Sequence, residues 1–308
     1  MYSRRDFAQR VFAAIAATAL DRRAFAATRS RLVLLGTGGG PRPRPDSYAS
    51  SQVIVAGGAA YVIDCGDGVA TQLVKAGISL TALRAVFITH HHSDHNADYG
   101  NLLLLAWESG LRRGVRTFGP PPLRRITRLF IEMNAVDIRA RVEDEGRVPF
   151  EPLIEAHELS RSGAVMTDSN VSVTCARVEH PPLDVALAYR FDCSDRSIVI
   201  SGDTKPSNAL VKLAHQADIL VHEALYVPAV ERLAARVPDA AKLRKSILNH
   251  HTSVEDAGRI AAAAGVKTLV LSHLVPPDDP AITPEMWLEA AKKHFDGQVI
   301  VGRDLLEL

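Results

Sequence analysis

The chain has 308 residues, a formal net charge of +1 and a hydrophobic fraction of 47%. That fraction supplies a sizeable folded core and excludes an intrinsically disordered chain. The near-zero net charge gives no electrostatic support for a nucleic-acid-binding protein. After the N-terminal segment, no run of about 18 apolar residues predicts a transmembrane helix.

Residues 1–26 have the features of a twin-arginine signal peptide. An arginine pair lies within residues 3–7, a short apolar run covers 11–20, and residues 24–26 form a small-residue cleavage site. We expect the twin-arginine export machinery to carry the folded protein to the periplasm, where residues 27–308 remain as one soluble domain. The alternative is an amphipathic N-terminal helix of a cytosolic protein. The signal segment carries a net charge of +3, so the rest of the chain carries −2.

Short strands and helices alternate through the rest of the chain. Apolar runs predict strands at 31–35, 52–56, 60–64, 85–88, 117–119, 171–175, 185–191, 197–200, 218–221, 267–271 and 298–301. Helical patterns predict helices near 69–76, 101–109, 123–134, 207–216, 253–264 and 285–295, the fifth starting at a cap formed by Thr252 or Ser253 and stopping at Gly265. This alternation predicts a layered α/β protein.

Three features outside the regular pattern need interpretation. The glycine-rich loop 36–40 is followed by three prolines and lacks the spacing of a phosphate-binding loop, so it predicts a tight loop beside a site. Residues 137–170 are irregular and predict a lid or rim over a site. Cys175 and Cys193 flank a predicted hairpin, and they either form a disulfide after export or remain buried thiols.

Four potential metal ligands lie within six residues directly after the apolar run 85–88. Residues 89–95 read T-H-H-H-S-D-H. His90 and His92 are two residues apart, so on extended backbone they point to the same side. Asp94 and His95 follow where the chain must turn, and they aim at a second point. Imidazole and carboxylate ligands together suit Zn²⁺ or a similar metal, whereas the alternative is a solvated histidine-rich loop.

A ligand-type side chain follows the predicted end of an apolar strand at five places in the chain. These side chains are His90, His180, Asp203, Glu223 and His273. Because α/β active sites form where strand ends meet, we expect the five to converge. Asp64 also ends a predicted strand, and it is either a hydrogen-bond partner of a ligand histidine or an ordinary turn residue.

These residues resemble the metallo-β-lactamase fold and, within it, the ribonuclease Z and arylsulfatase branch. The T-H-x-H-x-D-H motif carries the likeness to the superfamily, and residues 222–224, 251–253 and 271–273 are similar to later motifs of that branch. The likeness covers residues 31–308. It implies a four-layer αβ/βα sandwich built from two similar halves. It also implies a hydrolase with two divalent metal ions, for which zinc is expected and manganese or iron are alternatives.

The resemblance further implies which residues hold the metal ions. One ion is expected on His90, His92 and His180. The second is expected on Asp94, His95 and His273, and Asp203 is expected to bridge the two. His91 and His250 break the spacing of the motifs, so we expect neither to be a ligand, although His250 is placed to line the site.

Catalytic roles also follow from the resemblance. Asp94 is expected to orient the attacking water or accept its proton. Glu223 and His251 are expected to form a charged pair near the leaving group, where His251 donates a proton or stabilises charge. The alternative for this pair is a purely structural hydrogen bond.

The substrate is less well determined than the chemistry. The interval between His180 and Asp203 is too short for the long extension with which ribonuclease Z grips tRNA. We therefore expect hydrolysis of small phosphodiesters or aryl sulfate esters, with a small anionic ester as the partner and no stable nucleic-acid partner. The alternatives are a ribonuclease Z-type endoribonuclease that processes tRNA 3′ ends, a lactone, carboxyl-ester or β-lactam hydrolase, and a non-catalytic metal-binding protein.

Two further expectations concern surfaces of the protein. Three arginines of the helix predicted at 123–134 either bind the anionic substrate or form a solvated helix face; they are Arg124, Arg125 and Arg128. The resemblance also makes a homodimer an expected assembly, because proteins of this fold often dimerise.

Overall fold

The computed structural model describes residues 29–235 and 240–308, so the signal predicted at residues 1–26 lies outside the described residues. The described chain forms two seven-stranded sheets. The first contains β1 (Arg31–Gly36), β2 (Ser51–Ala56), β3 (Ala59–Ile63), β4 (Leu83–Phe87), β5 (Val115–Gly119), β6 (Ile154–Glu158) and β14 (Leu306–Glu307). The second contains β7 (Gly163–Thr167), β8 (Val171–Val178), β9 (Ala186–Cys193), β10 (Ser197–Ile200), β11 (Ile219–Leu225), β12 (Thr268–Val275) and β13 (Gln298–Val301).

The two sheets repeat one strand pattern. In the first, with the order β14-β1-β2-β3-β4-β5-β6, the pairs are antiparallel as far as β3 and parallel beyond it. In the second, with the order β7-β8-β9-β10-β11-β12-β13, the pairs are antiparallel as far as β10 and parallel beyond it. The expectation of two similar halves is therefore confirmed.

Helices cover the outer faces of both sheets. The first half contains α1 (Val69–Lys75), α2 (Ser93–Asn96), α3 (Tyr99–Glu108), α4 (Leu123–Met133) and α5 (Ala135–Asp144). The second half contains α6 (Asn208–Leu213), α7 (Val230–Ala234), α8 (Ala240–His250), α9 (Val254–Ala264) and α10 (Pro284–Lys292). None of the described helices is long and apolar enough to cross a membrane.

Apolar side chains fill three layers between these elements. Helices α1 and α3 pack on the first sheet, and α6, α9 and α10 pack on the second. Between the sheets, Phe87 contacts Phe118 and Phe191 with ring centroids 5.2 and 5.0 Å apart. These contacts fix the end of β4, from which the histidine motif departs. The predicted four-layer αβ/βα sandwich is thus confirmed.

Residues 137–170 do not form the predicted lid. They contain most of α5, a short 3₁₀ helix (Glu151–Leu153), and the strands β6 and β7, which are the edge strands of the two sheets. The prediction was wrong because β6 and β7 have only five residues each, I-E-A-H-E and G-A-V-M-T, and runs this short do not distinguish a strand from a loop in sequence.

Cys175 and Cys193 are free thiols. In the β8–β9 ladder, Cys175 lies opposite Tyr189 and Cys193 lies opposite Val171. The two cysteines are therefore four positions apart along the ladder, about 13 Å, which is too far for a disulfide. The interpretation as thiols is the one that the structure supports.

The strands β11 and β12 continue past their predicted ends. His222 and Glu223 lie within β11, and His273 lies within β12. The register shifts between the Glu223–Ser272 pair and the next pair, so His273 is the extra residue of a β-bulge, with a φ of 43°. A bulge re-aims a side chain that would otherwise follow the pleat, and here it accompanies a backbone conformation that non-glycine residues rarely adopt.

Candidate metal centre

The seven predicted metal ligands converge at one edge of the two sheets. One ligand atom each from His90, His92, His180 and Asp203 lies within 4.8 Å of the others. A second group with the same spacing contains Asp94, His95 and His273. Six of the seven side chains are buried, and His92 is half-buried.

Asp203 lies between the two groups. Its Oδ2 atom is 3.8 Å from the Nε2 atoms of both His90 and His180. The same oxygen is 3.3 Å from His273 Nε2, and Oδ1 is 3.3 Å from His95 Nε2. The carboxylate therefore faces ligand nitrogens of both groups, as the predicted bridging role requires.

The outer ring nitrogens of three histidines are held by hydrogen bonds. His180 Nδ1 donates to the carbonyl oxygen of His250 (2.9 Å). His95 Nδ1 donates to Asp64 Oδ2 (2.7 Å). The hydroxyl of Thr89 donates to the same carboxylate (2.9 Å), so it accepts from His90 Nδ1 (3.0 Å). When each ring is neutral, this leaves Nε2 as a lone pair directed into the site, the form in which histidine binds a metal.

The spacing of the nitrogen atoms in the first group is explained better by a bound metal ion than by hydrogen bonds among the three histidines. The Nε2 atoms of His90 and His180 both lie 3.1 Å from His92 Nδ1. A proton on His92 could satisfy only one of the two lone pairs. A tetrahedral zinc site with Zn–N distances of about 2.0–2.1 Å has ligand–ligand edges of about 3.3 Å, close to the observed spacing.

Burial keeps the first-group histidines neutral. It lowers the pKa of His180 to about 4, lowers the pKa of His92, and, with the nearby His95, lowers the pKa of His90 well below its ordinary value. Neutral imidazoles are the species that bind divalent metals, so the electrostatics of these rings suit the role that geometry gives them.

The second group is rich in negative charge. Burial opposes the charged form of His95, but Asp203 and Asp64 raise its pKa well above the ordinary range. Burial would also raise the pKa of Asp94, but His95 and His273 hold it well below its usual value. His95 Nε2 and Asp203 Oδ1 are buried and have no hydrogen-bond partner among the described residues. The carboxylates of Asp64, Asp94 and Asp203 therefore favour positive charge here, and His95 Nε2 and Asp203 Oδ1, which face each other at 3.3 Å without a hydrogen bond, fit as ligands of a divalent metal.

Asp64 organises the motif from the end of β3. Besides its contacts with Thr89 Oγ1 and His95, it accepts a hydrogen bond from the Thr89 backbone N–H (2.8 Å). It is buried and has a φ of 59°. Of the two interpretations left open by the sequence, the partner of a ligand histidine is therefore correct. His91 points away, with its ring nitrogens on Pro120 O (2.8 Å) and Asn96 (2.9 Å), as predicted for a residue outside the ligand set.

Glu223 and His251 form the predicted pair. His251 Nδ1 lies 2.8 Å from Glu223 Oε2, while Glu223 Oε1 accepts from the Thr204 backbone N–H (2.8 Å). Burial alone would lower the pKa of His251, but the charge and hydrogen bond of Glu223 raise it to about 9. Glu223 therefore favours the imidazolium form of His251, which lines the same cavity as five of the candidate metal ligands.

The glycine-rich loop contributes directly to the site. The Gly40 backbone N–H donates to Asp94 Oδ2 (2.8 Å). A Cβ atom on Gly39 would lie 2.5 Å from Val275 Cγ2 and 2.9 Å from the His273 ring, so only glycine fits there. The Asp304 carboxylate holds the two ends of the β1–β2 connection together, because it accepts hydrogen bonds from the backbone N–H groups of Thr37 (2.9 Å) and Tyr48 (2.7 Å). The expectation of a tight loop beside the site is confirmed.

A cavity of about 490 Å³ lies over these residues. That volume is in the range for a small-molecule site. One wall is the loop from Gly39 to Arg44, and another comes from α7 and α8 through Leu233, Leu243, Ser246, Ile247 and His250. Sequence reasoning missed the α7–α8 wall, although the spacing of Leu243, Ile247 and His250 was a helical signal. No residue of 137–170 lines this cavity.

The arginines of α4 lie elsewhere. Arg124 Nε donates to Ala156 O (3.1 Å), and Arg128 lies 3.5 Å from Glu132 on the same exposed helix. Neither these two residues nor Arg125 line the cavity. The structure therefore supports the interpretation as a surface face.

Comparisons with known proteins agree with this geometry. A family model described as "Anti-Pycsar protein Apyc1" matches residues 30–250. A ribonuclease Z of Mycobacterium bovis is 32% identical over 277 residues, covering 89% of this chain and 96% of the relative. The metallo-β-lactamase-fold protein YhfI of Bacillus subtilis superposes with a TM-score of 0.67 at 20% identity, covering 91% of this chain and 98% of that one. Human tRNase Z, short form, superposes with a TM-score of 0.65 at 22% identity, covering 90% and 98%.

The match to the family model spans more than two thirds of the chain, and the match to ribonuclease Z spans nearly all of the described part. The fold, the candidate metal clusters and these relatives agree with one another. The chain therefore belongs to the family described as anti-Pycsar protein Apyc1 and, with its ribonuclease Z relatives, to the metal-dependent hydrolases of the metallo-β-lactamase fold.

Proposed function

We propose that this protein hydrolyses small phosphodiesters with two divalent metal ions, zinc foremost. The observation that carries the proposal is the convergence of seven ligand-type side chains, five of which line a cavity of about 490 Å³. A cavity of this size admits a small ester, and phosphodiester cleavage is the chemistry that the word ribonuclease describes in the relatives.

The metal ligands are proposed as the sequence predicted them. His90, His92 and His180 would hold one ion, Asp94, His95 and His273 would hold the other, and Asp203 would face both. Two bound ions supply Lewis-acid stabilisation of the phosphoryl oxygens and a lowered pKa for a water molecule. Manganese or iron in place of zinc is tested by metal analysis of the purified protein.

Two side chains, those of Asp94 and His251, are placed to transfer protons. Asp94, with Oδ2 held by the Gly40 N–H, is placed to orient the attacking water and accept its proton. His251, kept cationic by Glu223, is placed to donate a proton to the leaving oxygen or to stabilise charge on the ester. The interior position of Glu223 fixes the direction of the His251 ring.

Ribonuclease Z activity is the second candidate, and the curated relatives favour it. The 277-residue alignment with the Mycobacterium bovis protein covers 96% of that relative, which leaves no room there for a long inserted arm. The short interval between His180 and Asp203 therefore does not separate this chain from proteins named ribonuclease Z. What favours a small ester is the volume of the cavity, about 490 Å³, and the net charge of −2 after residue 26.

A substrate panel tests the proposal. The purified full-length chain, loaded with Zn²⁺ or Mn²⁺, is assayed with bis-p-nitrophenyl phosphate, p-nitrophenyl sulfate, a lactone and a precursor tRNA. We expect the phosphodiester to be the best substrate, and sulfate turnover would extend the class to aryl sulfates. Strong lactone turnover without phosphodiester turnover, or efficient tRNA 3′ cleavage, would replace the proposal with the corresponding alternative. His90→Ala removes activity and bound metal if the ligand assignment is correct.

We also propose export by the twin-arginine route to the periplasm, which rests on residues 1–26 alone. Fractionation of cells that produce the full chain tests it. The wild type is expected in the periplasm, and the double variant Arg4→Lys, Arg5→Lys is expected to stay in the cytoplasm. Equal distribution of the two would contradict export.

The expected assembly is a homodimer without a stable nucleic-acid partner. Light scattering on the purified protein measures the first expectation, and titration with labelled RNA at physiological salt measures the second. A monomeric mass, or submicromolar binding of RNA, would contradict the respective expectation.

A further inference from the structure

One face of helix α8 lines the cavity, and the helix ends at the candidate metal centre. Leu243, Ser246, Ile247 and His250 line the cavity at helical spacings of three and four residues. His251 follows directly and lines the cavity as well. The helix therefore presents apolar side chains at its far end and histidines at its end near the metal-type residues.

An apolar wall faces the cavity; we define it as Leu233, Leu243, Ile247 and Val275. These side chains belong to a small hydrophobic cluster separate from the three core layers. Ile247 and Val275 are buried in that cluster, whereas Leu233 and Leu243 are only partly buried. The two leucines thus keep apolar surface that faces the cavity and is not used to pack the helix.

The apolar wall lies beside His251, the residue proposed to act on the leaving group. His250, the last residue of α8, lies about one turn after Ile247 and two turns after Leu243 on the cavity-facing side, and His251 follows it directly. An ester with its reacting phosphorus at the candidate metal ligands and its leaving group next to His251 can extend that group along α8. There the group meets Leu243 and Ile247, whereas Arg42, Arg44 and Asp278, which also line the cavity, lie on other segments of the chain.

Resting on the proposed function, we propose that the apolar wall is a specificity site for the substrate's organic group next to His251. The substrate class that fits is a phosphodiester with an aromatic or other bulky apolar group at that position. Leu243 is the residue that tests the proposal, because it faces the cavity and is not fully buried in the hydrophobic cluster. Each apolar group buried there increases binding in proportion to its buried area.

The test uses two ligands that differ only in the apolar group, phenylphosphonate and methylphosphonate. Their dissociation constants are measured by calorimetry on the zinc-loaded full-length chain. We expect the wild type to prefer phenylphosphonate by about tenfold or more, as a hydrophobic pocket allows. Leu243→Ser is expected to reduce that preference to less than about threefold, and Leu243→Met is expected to keep it.

The matched control is Lys245→Ser, an exposed position two residues away on the opposite face of α8. It is expected to keep the wild-type preference. An unchanged preference in Leu243→Ser, or an equal loss in Lys245→Ser, would overturn the proposal. If Leu243→Ser fails to fold, as judged by circular dichroism, Leu233→Ser replaces it as the test from the other helix.

This measurement separates the wall from the proposed function. Loss of the phenyl preference in Leu243→Ser supports the wall even in a protein that shows no phosphodiester turnover, and that absence would count against the proposed function alone. Phosphodiester turnover with no phenyl preference in the wild type would leave the proposed function standing and reject the wall.

Discussion

The two sheets supply the candidate metal centre in different ways. The first provides four ligand-type residues from one loop after β4, and Asp64 clamps that loop through Thr89 and His95. The second provides one residue at a time. His180 follows β8, Asp203 follows β10, and His273 stands on a bulge within β12.

The difference shows how two similar halves divide the construction of one site. In the first half, one buried carboxylate, Asp64, holds His95 directly and His90 through Thr89. In the second half, the backbones of neighbouring strands do so, and each ligand depends on a different strand. Asp203 is the point where the halves meet, because its two oxygens face nitrogens from both. Variants at these positions test whether the halves differ as described.

Replacement of the shared ligand should have the largest effect. Asp203→Ala removes a carboxylate that faces both groups, so we expect more than a 100-fold loss of zinc affinity and of kcat/KM, since even residues behind a ligand cost about 10–100-fold. Metal analysis after dialysis and steady-state kinetics measure this. Asp296→Asn, at an exposed position, is the control. Retention of two zinc equivalents by Asp203→Ala would refute the shared role.

Removal of the charge that raises the pKa of His251 should have the next largest effect, seen in the pH profile. Burial lowers the pKa of His251 and Glu223 raises it to about 9, so activity that needs the imidazolium falls as pH rises past that pKa. Glu223→Gln leaves burial without its compensating charge, so the alkaline limb moves toward neutral pH. We expect kcat at pH 9 to fall by about 10–100-fold.

The profile of kcat from pH 6 to pH 10, with Glu289→Gln as an exposed control, measures this shift. An alkaline limb that stays in place in Glu223→Gln would show that His251 is not the titrating acid. The pair would then be the structural hydrogen bond that the sequence left as an alternative.

Loosening of the clamp in the first half should have a smaller effect, because the ligands themselves remain. Asp64→Asn keeps the size of the side chain but loses the charge that holds His95 and Thr89. We expect zinc affinity to fall by about 10–100-fold and activity to return at saturating zinc. Competition with a zinc chelator measures the affinity. Asp67→Asn, exposed in the same turn, is the control, and an affinity within threefold of wild type would argue against the clamp.

The difference between the halves also decided what the sequence could predict. The loop of the first half is contiguous, so its spacing alone indicated two ligand groups. The single residues of the second half were indicated by their positions after apolar strands, and the resemblance added which metal ion each would bind. The bulge at His273 was not predicted, because a sequence does not show where the register of a strand pair shifts. Asp64 stayed ambiguous for the same reason, since its role depends on Thr89 and His95 arriving from another strand.

The sequence could not show that residues of α7 and α8 form a wall of the cavity. Leu233, Leu243 and Ile247 have the spacing of any amphipathic helix, and only tertiary structure shows that part of their surface faces a cavity instead of a core. The misjudged segment 137–170 is the converse case, in which two five-residue edge strands gave patterns too short to recognise.

Side-chain interactions at the N-terminal ends of β10, β11 and β12, away from the candidate metal centre, should contribute to stability but not to catalysis. There Asp218 accepts hydrogen bonds from the Ser197 backbone N–H (2.7 Å) and from Lys267 Nζ (2.6 Å), so its carboxylate is fully partnered, unlike that of Asp203. The hydrogen bond from Lys267 holds the pKa of Asp218 below its ordinary value of 3.8. A lowered carboxyl pKa adds stability above the ordinary pKa, and that stability is lost as pH falls through the folded-state pKa.

Asp218→Asn should therefore lower the Tm at pH 7 by roughly 2 °C or less, since the pair is partly exposed. The difference from wild type should be smaller at pH 3 than at pH 7, because protonation of the unfolded-state carboxyl below its ordinary pKa of 3.8 reduces the stability that the charged form adds. Thermal unfolding of the metal-free proteins, followed by circular dichroism at both pH values, measures this. The kcat of zinc-loaded Asp218→Asn should equal that of wild type. A fall in kcat comparable to that of Asp64→Asn would show that the N-terminal ends of these strands also help to position the candidate metal ligands. The ligand positions in the second half would then depend on more than the C-terminal strand ends and the bulge at His273.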